Sequence, residues 1–361
     1  MTRFDFHIVR RFLGGYTVLI GALIIFFVVL HYVEYIDDFM DRGASLRQVF
    51  LTYYPSYVPE IVRLTSPLAI FLACIYLTGR LAQSLQLAAL QTSGVSLYRL
   101  MMPYLVVGIM ITGVMFWFNG WVVPRTNQIV LDFEQQYLRD GPRQLDISDI
   151  HRQDSPRSVI IVGYYDKGRD IGHRATLQVF ADRQQLSSRI DADRIEWKAD
   201  INKWRIRNGV RRTFDEDGSE SRSSFASLDT TLNVFPRDFA RTERDVESMS
   251  IPVAADYVDA LKRSGADNLG RTLVNFYSKF SYPFANFILV LLGVPLASVR
   301  RRGGQAIQIG LGLLFAFTYL AVMKVIEPFG YSGMLSPVVS AWFPHMLFAV
   351  FAVVVLWRTR K

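Results

Sequence analysis

The chain has 361 residues, of which 51% are hydrophobic and 20% are charged, and its formal net charge is +8. A mean hydropathy of +0.20 is high for a soluble protein with so many charges. The apolar residues must therefore be concentrated in segments apart from the charged ones. Because Cys74 is the single cysteine, an intramolecular disulfide is excluded. These values favour a membrane protein with a separate polar region.

Six apolar segments are each close to the length of about 20 residues that a helix needs to cross the hydrocarbon core. They are 12–33, 61–79, 100–123, 280–299, 307–326 and 337–357. The first segment is too long for the core of a signal peptide and has no cleavage site after it, so we expect it to remain as an anchor. The sequence therefore predicts three transmembrane helices, a polar domain and three further transmembrane helices.

Basic residues flank one set of segment ends and acidic residues flank the other. The basic residues are Arg3, Arg10, Arg11, Arg80, Arg99, Arg300, Arg301, Arg302, Arg358, Arg360 and Lys361. The acidic residues are Glu34, Asp37, Asp38, Asp41 and Glu327. By the positive-inside rule, both termini and the loops 80–99 and 300–305 lie in the cytoplasm, and the polar domain faces outward. The basic composition thus reflects topology and does not indicate nucleic-acid binding.

The polar domain has the short, punctuated apolar runs that are typical of β structure. These runs are 159–164, 176–182, 190–197, 203–210 and 223–234, with a turn expected at 215–218. Their spacing predicts a sandwich or an open barrel and not βαβ units. After them, the segment 251–265 has helical periodicity and ends at a glycine. This helix either returns the chain to the membrane or covers the surface of the β domain.

Motifs of enzymes and of nucleotide-binding subunits are absent from the sequence. There is no P-loop, no G-x-S-x-G elbow and no metal-ligand spacing among the five histidines. Asp37, Asp38 and Asp41 form either a cation or acid–base site or a solvated flank at a membrane exit, and we favour the flank. The sequence predicts no catalytic residue, no metal ligand and no bound cofactor.

Five charged residues lie at the expected outer membrane boundary, where charge is costly and often functional. Glu60 and Arg63 are one helical turn apart and can pair, and the same spacing joins Lys324 and Glu327. Lys279 precedes the fourth segment. These side chains are either anchors at the interface or, for the three cations, a receptor for an anionic lipid headgroup.

The loop 83–96, "QSLQLAALQTSGVS", predicts an uncharged helix of about three turns. Gly94 is a natural terminator of this helix, and Ser96 can cap the next one. At the inner membrane surface such a helix is either interfacial or a docking element for a cytoplasmic protein.

Several stretches, in this order and spacing, resemble a known transporter family. They are "PEIVRLTSPLAIFLA" at 59–73, "LAALQTSG" at 87–94, "INKWRIRNG" at 201–209, "LKRSGADNLGR" at 261–271 and "SKFSYPFANF" at 278–287. Together they are similar to the lipopolysaccharide-export permeases LptF and LptG (YjgP/YjgQ type), the paired membrane subunits of the Lpt ABC transporter. The tail "GMLSPVVSAWFPHMLF" at 333–348 is more similar to the G type than to the F type.

The resemblance implies a bacterial inner-membrane protein with six transmembrane helices and an inserted periplasmic β-jellyroll. Helices 1–3 are expected within 1–125, with a coupling helix at about 81–94, the jellyroll with its connectors at 126–270, and helices 4–6 at 271–361. The implied function is extraction of lipopolysaccharide from the inner membrane and its passage through the β domain toward the outer membrane. Implied partners are a cytoplasmic ABC ATPase dimer that binds ATP and Mg, a paralogous permease and a bitopic LptC-like jellyroll protein.

The resemblance also assigns roles to residues. The surface that couples to the ATPase would comprise Leu85, Gln86, Ala89, Leu90, Ser93 and Gly94. The lipid headgroup would meet Arg42, Arg63, Lys279 and Lys324. The lipid path, or the core, would comprise Phe26, Phe27, Leu30, Ile161, Val179, Trp197, Trp204, Ile206 and Phe225.

Two regions of the chain depart from the family pattern. Gln86 stands where the family typically carries a glutamate, so the charge-assisted contact with the ATPase is lost. Glu34, Asp37 and Asp41 end the first helix, where G-type members tend to carry lysine.

Two other functions stay open: a mechanotransmission subunit that moves a periplasmic partner without moving lipid, and a membrane enzyme acting on envelope lipids, which the missing catalytic motifs disfavour.

Overall fold

The structure is a computed structural model that describes residues 3–138, 150–166, 169–181, 185–214, 219–239, 246–264, 269–299 and 304–359. Two compact units divide the chain. A helical unit comprises Met1–Arg139, Val246–Ile251 and Leu273–Lys361, and a β unit comprises Asp140–Asp245 and Pro252–Thr272. The polar domain predicted between two groups of apolar helices is therefore an inserted unit.

The described helices, in chain order, are α1 (Arg3–Asp41), α2 (Leu46–Gln48), α3 (Tyr54–Gln83), α4 (Gln86–Thr92), α5 (Leu97–Trp117), α6 (Val123–Tyr137), α7 (Pro236–Phe239), α8 (Ile251–Ser264), α9 (Gly270–Ser281), α10 (Phe284–Ser298), α11 (Gly304–Tyr331) and α12 (Pro337–Arg358). The described strands are β1 (Ile150–Ser155), β2 (Ser158–Asp166), β3 (Ile171–Phe180), β4 (Leu186–Lys198), β5 (Lys203–Phe214) and β6 (Glu220–Thr230).

Among the described residues, five helical stretches are long and apolar enough to cross a membrane. They are Arg3–Asp41, Leu46–Gln83, Leu97–Glu134, Gly304–Tyr331 and Pro337–Arg358. Helices α9 and α10 meet at a bend of 53° and make a sixth span if the pair is counted as one. The predicted arrangement of transmembrane helices around an inserted domain is confirmed.

Two of these spans contain a π-helical turn that ends two residues before a proline. The turns are Val49–Tyr53, before Pro55, and Phe118–Val122, before Pro124. A proline has no N–H to donate to the carbonyl four residues earlier, so a locally widened helix continues the span without breaking it.

The helical unit is organised around α3, whose most apolar window is 67% buried, whereas that of α1 has no buried residue. A buried polar network nevertheless ties α1 to the centre. The Tyr16 hydroxyl lies 2.8 Å from Ser66 Oγ, which donates to Asn286 Oδ1 of α10 at 2.8 Å. Because no water hydrates such groups inside a membrane, the network fixes the contact between these three helices.

The β unit contains one antiparallel sheet with its six described strands in sequential order, which is a meander. Strands β2 to β6 fall on the five predicted runs, so the inserted β domain is confirmed. The sequence missed β1, and it extended the last strand to residue 234, whereas β6 ends at Thr230. The expected turn at 215–218 and the glycine at 265 lie outside the described residues.

One row of residues changes which side chains face the core. The regular strand pairing skips Gly163, Arg174, Asp193 and Asn208, which lie side by side on β2 to β5. Arg174 and Asn208 have left-handed backbones, with φ of 53° and 51°. Side chains alternate between the two faces of a strand. An interruption of this kind therefore shifts the core-facing positions by one residue, from even to odd numbers on β4. Those positions on β4 are Ile190 and Ala192 before the row and Ile195 and Trp197 after it.

The predicted helix after the sheet is present as α8, which buries Ala254, Tyr257 and Val258. Residues Pro252–Thr272 group with the β unit. Of the two interpretations of this segment, the grouping favours a helix that belongs to the β domain.

Candidate functional site

A cavity of about 450 Å³ lies in the helical unit and combines charged and apolar walls. The charged lining residues are Glu60, Arg63, Glu247, Lys279, Lys324 and Glu327. The apolar lining residues include Phe27, Leu64, Leu68, Phe317, Leu320 and Met323. Helices α1, α3, α9 and α11 all contribute to it, and pockets of this mixed character bind amphipathic ligands.

Arg63 is held in the cavity by two neighbours. Its Nε donates to Glu60 Oε2 at 2.9 Å, and Nη2 bonds the other oxygen of the same carboxylate. The guanidinium also lies 5.6 Å from the centroid of the Tyr282 ring, a cation–π contact. The pairing of Glu60 and Arg63 predicted from their spacing is confirmed. The forked geometry orients Arg63 as a planar donor, which suits a carboxylate or a phosphate.

Lys279 is the most enclosed cation of the cavity, with 5% of its surface exposed. Its Nζ donates to the main-chain oxygen of Glu247 at 2.9 Å, and its own carbonyl accepts from Asn119 Nδ2 at 2.9 Å. Glu247 and Asn119 were missed in the sequence, since each is far along the chain from Lys279. The polar "FNGW" stretch inside an apolar segment is the one signal that could have pointed to Asn119.

Lys324 is the most accessible cation of the cavity, because 74% of its side chain is exposed. Its Nζ lies 2.9 Å from Glu327 Oε2 on the same face of α11, so the second predicted pair is also confirmed. An exposed ion pair of this kind contributes at most about 1 kcal/mol to stability. A ligand can therefore displace Glu327 at little cost.

The cavity is charge-balanced, since three carboxylates accompany its three cations. The structure brings Arg63, Lys279 and Lys324 into one cavity, whereas Arg42 follows α1 and does not line it. An anionic ligand would therefore compete with carboxylates that are already in place.

The exposed side of α1 lies next to this cavity. Phe26 and Leu30 are more than half exposed, and Phe27, whose ring contacts that of Phe26 at 5.4 Å, lines the cavity wall. These aromatic and aliphatic side chains give the cavity an apolar approach from the α1 side.

A second candidate surface is the short helix α4 and its flanks. Leu85, Gln86, Ala89, Ser93 and Gly94 are exposed, whereas Leu90 packs, together with buried Leu87, against the core of the helical unit. Helix α4 spans only Gln86–Thr92, because the residues up to Gln83 belong to α3. It is therefore shorter than the helix expected at about 81–94.

Two features hold this surface in place. Leu85 has a left-handed backbone with φ of 61°, an unusual conformation for a leucine, and it turns the chain sharply between α3 and α4. In the first turn of α5, Arg99 donates to both carboxylate oxygens of Asp5, at 2.9 and 2.6 Å. Asp5 is buried, so the pair ties the start of α1 to the start of α5. The two residues are 94 positions apart, so no local spacing in the sequence indicates this pair.

The β unit carries the remaining predicted residues. Trp197, Trp204, Ile206 and Phe225 belong to the core on one face of the sheet, and Val179 shares that face through its pairing with buried Ser158. Ile161 differs because it pairs with Thr176, next to core-facing Ile160, and so points to the other face.

Charged ladders cover that other face. Glu196 lies 3.2 Å from both Lys198 and Arg207. Partial burial tends to raise the pKa of Glu196, but the hydrogen bonds from these two cations outweigh it and lower the pKa below its usual value. Within the described ranges, no group of three or more His, Cys, Asp or Glu side chains could hold a metal ion.

Transmembrane helices, an amphipathic cavity among them and an inserted β unit are together typical of a membrane transport subunit. The family description "Lipopolysaccharide export system permease LptF/LptG" matches residues 7–358. Because this match covers nearly the whole chain, the protein belongs to the LptF/LptG family of lipopolysaccharide export permeases, which are multi-pass membrane proteins.

Curated relatives agree with this assignment over most of their lengths. The permease protein LptG of Escherichia coli (strain K12) is 21% identical over 98% of this chain and 99% of its own length. LptG of Haemophilus influenzae is 19% identical over 91% of both chains. The chain is thus similar to G-type permeases in particular.

Proposed function

We propose that the chain is a G-type subunit of a lipopolysaccharide exporter and that its cavity receives the phosphorylated headgroup of the lipid. The amphipathic cavity carries this proposal. Arg63, Lys279 and Lys324 supply donors for phosphate oxygens, while Leu68, Phe317 and Leu320 line an adjoining apolar wall. A glycolipid has the same division into an anionic head and apolar chains.

The pairing of the cavity cations suggests how the ligand enters. Glu60 and Glu327 neutralise Arg63 and Lys324, which lowers the cost of holding cations near the hydrocarbon region. A phosphate then exchanges with these carboxylates, or a divalent cation bridges the phosphate to them. The exposed Phe26 and Leu30 of α1 supply a lateral path for the acyl chains.

The orientation of the chain follows from its charges. By the positive-inside rule, the basic ends of the membrane spans lie in the cytoplasm. Both termini and α4 are then on the cytoplasmic side of the bacterial inner membrane, and the β unit is in the periplasm. The α4 surface then meets a cytoplasmic ATPase dimer, which binds ATP and Mg. Gln86 contributes a neutral hydrogen bond there in place of a salt bridge.

The β unit continues the route away from the membrane. Its core-facing residues offer an apolar track, and the edge strands of its sheet can pair with the β domain of a bitopic partner. A paralogous permease completes the membrane part of the transporter.

The composition of the complex purified through this chain tests this function. We expect an ABC ATPase, a second permease and bound lipopolysaccharide, with the amount of lipid reduced by Arg63→Ala. A complex that contains the ATPase but never lipopolysaccharide would instead support a mechanotransmission subunit. The absence of an ATPase would contradict both functions.

A further inference from the structure

A second cavity, of about 570 Å³, lies where α4, α10 and α12 meet. Its apolar wall is formed by Leu296 and Val299 at the end of α10 and by Phe351 and Val354 of α12. Its size falls in the range of roughly 300–1,000 Å³ that is typical of small-molecule sites. Among the described residues, none lines both this cavity and the charged cavity around Arg63. The two cavities are therefore separate places for a ligand.

The end of α12 shows that this cavity lies at the edge of the membrane. Helix α12 ends at Arg358, and the neighbouring Trp357 is largely exposed. Tryptophan and arginine at the end of a span are typical of the interface between acyl chains and headgroups. One to two turns earlier, Phe351 and Val354 line the cavity and are also exposed. An acyl chain of the surrounding membrane can therefore reach the apolar wall.

Two polar side chains of the cavity have donors to offer. Within the part of the chain that the structure describes, neither the Arg358 guanidinium nor the side-chain amide of Gln91 has a hydrogen-bond or ion-pair partner. The hydroxyls of Ser298 and Thr359 differ, since each donates to a main-chain carbonyl of the preceding turn. The donors available to a ligand are thus one guanidinium and one amide.

Hydrogen bonds to the carbonyls at the end of α10 remove a charge that would oppose an anion. The last carbonyls of a helix carry negative partial charge and repel anions when they lack donors. Gln308 Nε2 donates to the carbonyls of Ala297 and Val299, at 3.3 and 3.0 Å. Ser298 Oγ donates to the Pro295 carbonyl at 2.8 Å. The same bonds fix the end of α10, so this wall of the cavity is in place before a ligand binds.

The lining of this cavity is cationic, whereas that of the charged cavity is balanced. Among the described lining residues, Arg358 is the one charged side chain and there is no carboxylate. Basic cavities between transmembrane helices bind the phosphorylated headgroups of anionic lipids. Arginine suits such a headgroup because its forked donors match two phosphate oxygens. An anionic ligand therefore meets no competing carboxylate among these residues.

We propose that this cavity binds a phospholipid with an anionic headgroup, from the leaflet on the α4 side of the membrane. Arg358 binds the phosphate, the Gln91 amide donates to a second oxygen of the headgroup, and an acyl chain lies along Phe351 and Val354. That this leaflet is the cytoplasmic one rests on the proposed orientation of the chain. The binding itself requires neither lipopolysaccharide nor export.

The bound lipid would link α4 to α12, because Gln91 belongs to one helix and Arg358 to the other. Helix α4 has only seven residues, and so short a helix depends on tertiary contacts for its stability. A headgroup bonded to both side chains therefore restrains α4.

Photo-crosslinking in vesicles of phosphatidylcholine with a minor share of phosphatidylglycerol tests the site in the full-length chain within its complex. A small diazirine-bearing residue replaces Val354, which lines the cavity, or Val353, which is exposed on α12 and is not among the described lining residues. We expect phosphatidylglycerol to be enriched several-fold among the lipids labelled from position 354, relative to those labelled from position 353. Equal shares at the two positions would overturn the proposal. Labelling of the ATPase from position 354, in place of lipid, would show that a protein covers the cavity and would overturn it as well.

Two matched variants separate a specific site from general attraction to basic residues. Arg358→Gln should lower the share of phosphatidylglycerol at position 354 to the share at position 353. Arg80→Gln removes the same charge from an exposed residue in the last turn of α3, outside the described lining of the cavity, and should leave the enrichment unchanged. Enrichment that survives Arg358→Gln, or that Arg80→Gln lowers equally, would contradict a site at Arg358.

Hydrogen exchange of the amides of residues 86–92 tests the link to α4. In the full-length chain without the ATPase, we expect exchange to be several-fold slower in vesicles that contain phosphatidylglycerol than in phosphatidylcholine alone. Gln91→Leu should abolish this difference. Equal exchange of the unmodified chain in the two kinds of vesicle would refute the link.

This proposal and the proposed export function fail in distinguishable ways. Neither the lipid labelling nor the exchange measurement needs lipopolysaccharide or ATP hydrolysis, so they decide the site even if the chain exports no lipid. Failure to enrich phosphatidylglycerol at position 354 would leave the export function as it stands.

Discussion

Removing the carboxylate that neutralises Arg63 should strengthen lipid binding in the cavity. Glu60→Gln keeps the size of the side chain but takes away the charge that Arg63 pairs with through Nε at 2.9 Å. The freed guanidinium can then give both of its forked donors to a phosphate. If Glu60 itself bound the headgroup, Glu60→Gln would instead weaken lipid binding.

The magnitude follows from the exposure of the pair. About a fifth of each side chain is exposed, at 23% for Arg63 and 19% for Glu60, so solvent screens part of the attraction. Partly screened pairs of this kind contribute about 1 kcal/mol, which corresponds to roughly fivefold tighter binding of the competing phosphate. Arg63→Ala should weaken binding by about tenfold or more, because a charge-assisted hydrogen bond contributes about 1.5–3 kcal/mol.

Equilibrium binding of labelled lipopolysaccharide to the reconstituted complex measures both effects. Glu327→Gln is the matched control: Lys324 is already largely exposed, so its release should change affinity less than the release of Arg63. If Glu60→Gln weakens binding as much as Arg63→Ala does, Glu60 is a ligand of the headgroup, and the competition argued above is refuted. Loss of that weakening after chelation of divalent cations would identify a cation bridge.

Three further outcomes follow from the described contacts. Gln86→Lys should reduce, and Gln86→Glu increase, the ATPase that copurifies with the chain, and unchanged amounts would remove Gln86 from the contact. Trp204→Phe should lower the unfolding free energy of the β unit by about 1–3 kcal/mol, because the Val234 carbonyl loses its buried donor; equal denaturation midpoints would show that the bond contributes nothing. The folded-state pKa of Glu196 is lowered, so its stabilisation is present above the unfolded value of about 4.3 and is lost as pH falls through the folded pKa. Denaturation of Glu196→Gln should therefore depend less on pH in that acidic window, and parallel pH profiles would contradict this.

The parts of the site that could be predicted are local in sequence. Hydropathy locates the spans because each must supply a continuous apolar stretch. The pairs Glu60–Arg63 and Lys324–Glu327 follow from their spacing on one helix face. The contacts of Lys279 with Glu247 and Asn119 join distant segments, and no periodicity encodes them.

The β unit shows a second limit of prediction. Leu232 and Val234 alternate as in a strand, yet they lie beyond the end of β6, because their burial comes from tertiary contacts with the sheet. Strand β1 has a weak apolar pattern, although Ile150 lies in the core, because Arg152 and Asp154 hydrogen-bond Asp238 and Asn233 after β6. The left-handed residues on β3 and β5 shift the core-facing positions in a way that simple alternation cannot reveal.

Photo-crosslinking of lipopolysaccharide at two positions tests the central claim most directly. One photoreactive residue replaces Leu320 in the cavity, and the other replaces Phe225 on the core-facing side of the sheet. We predict labelling at 320 without ATP and labelling at 225 only during ATP hydrolysis. Labelling at 320 that never extends to 225 as ATP is hydrolysed, or labelling at neither position, would contradict export of the lipid through this chain.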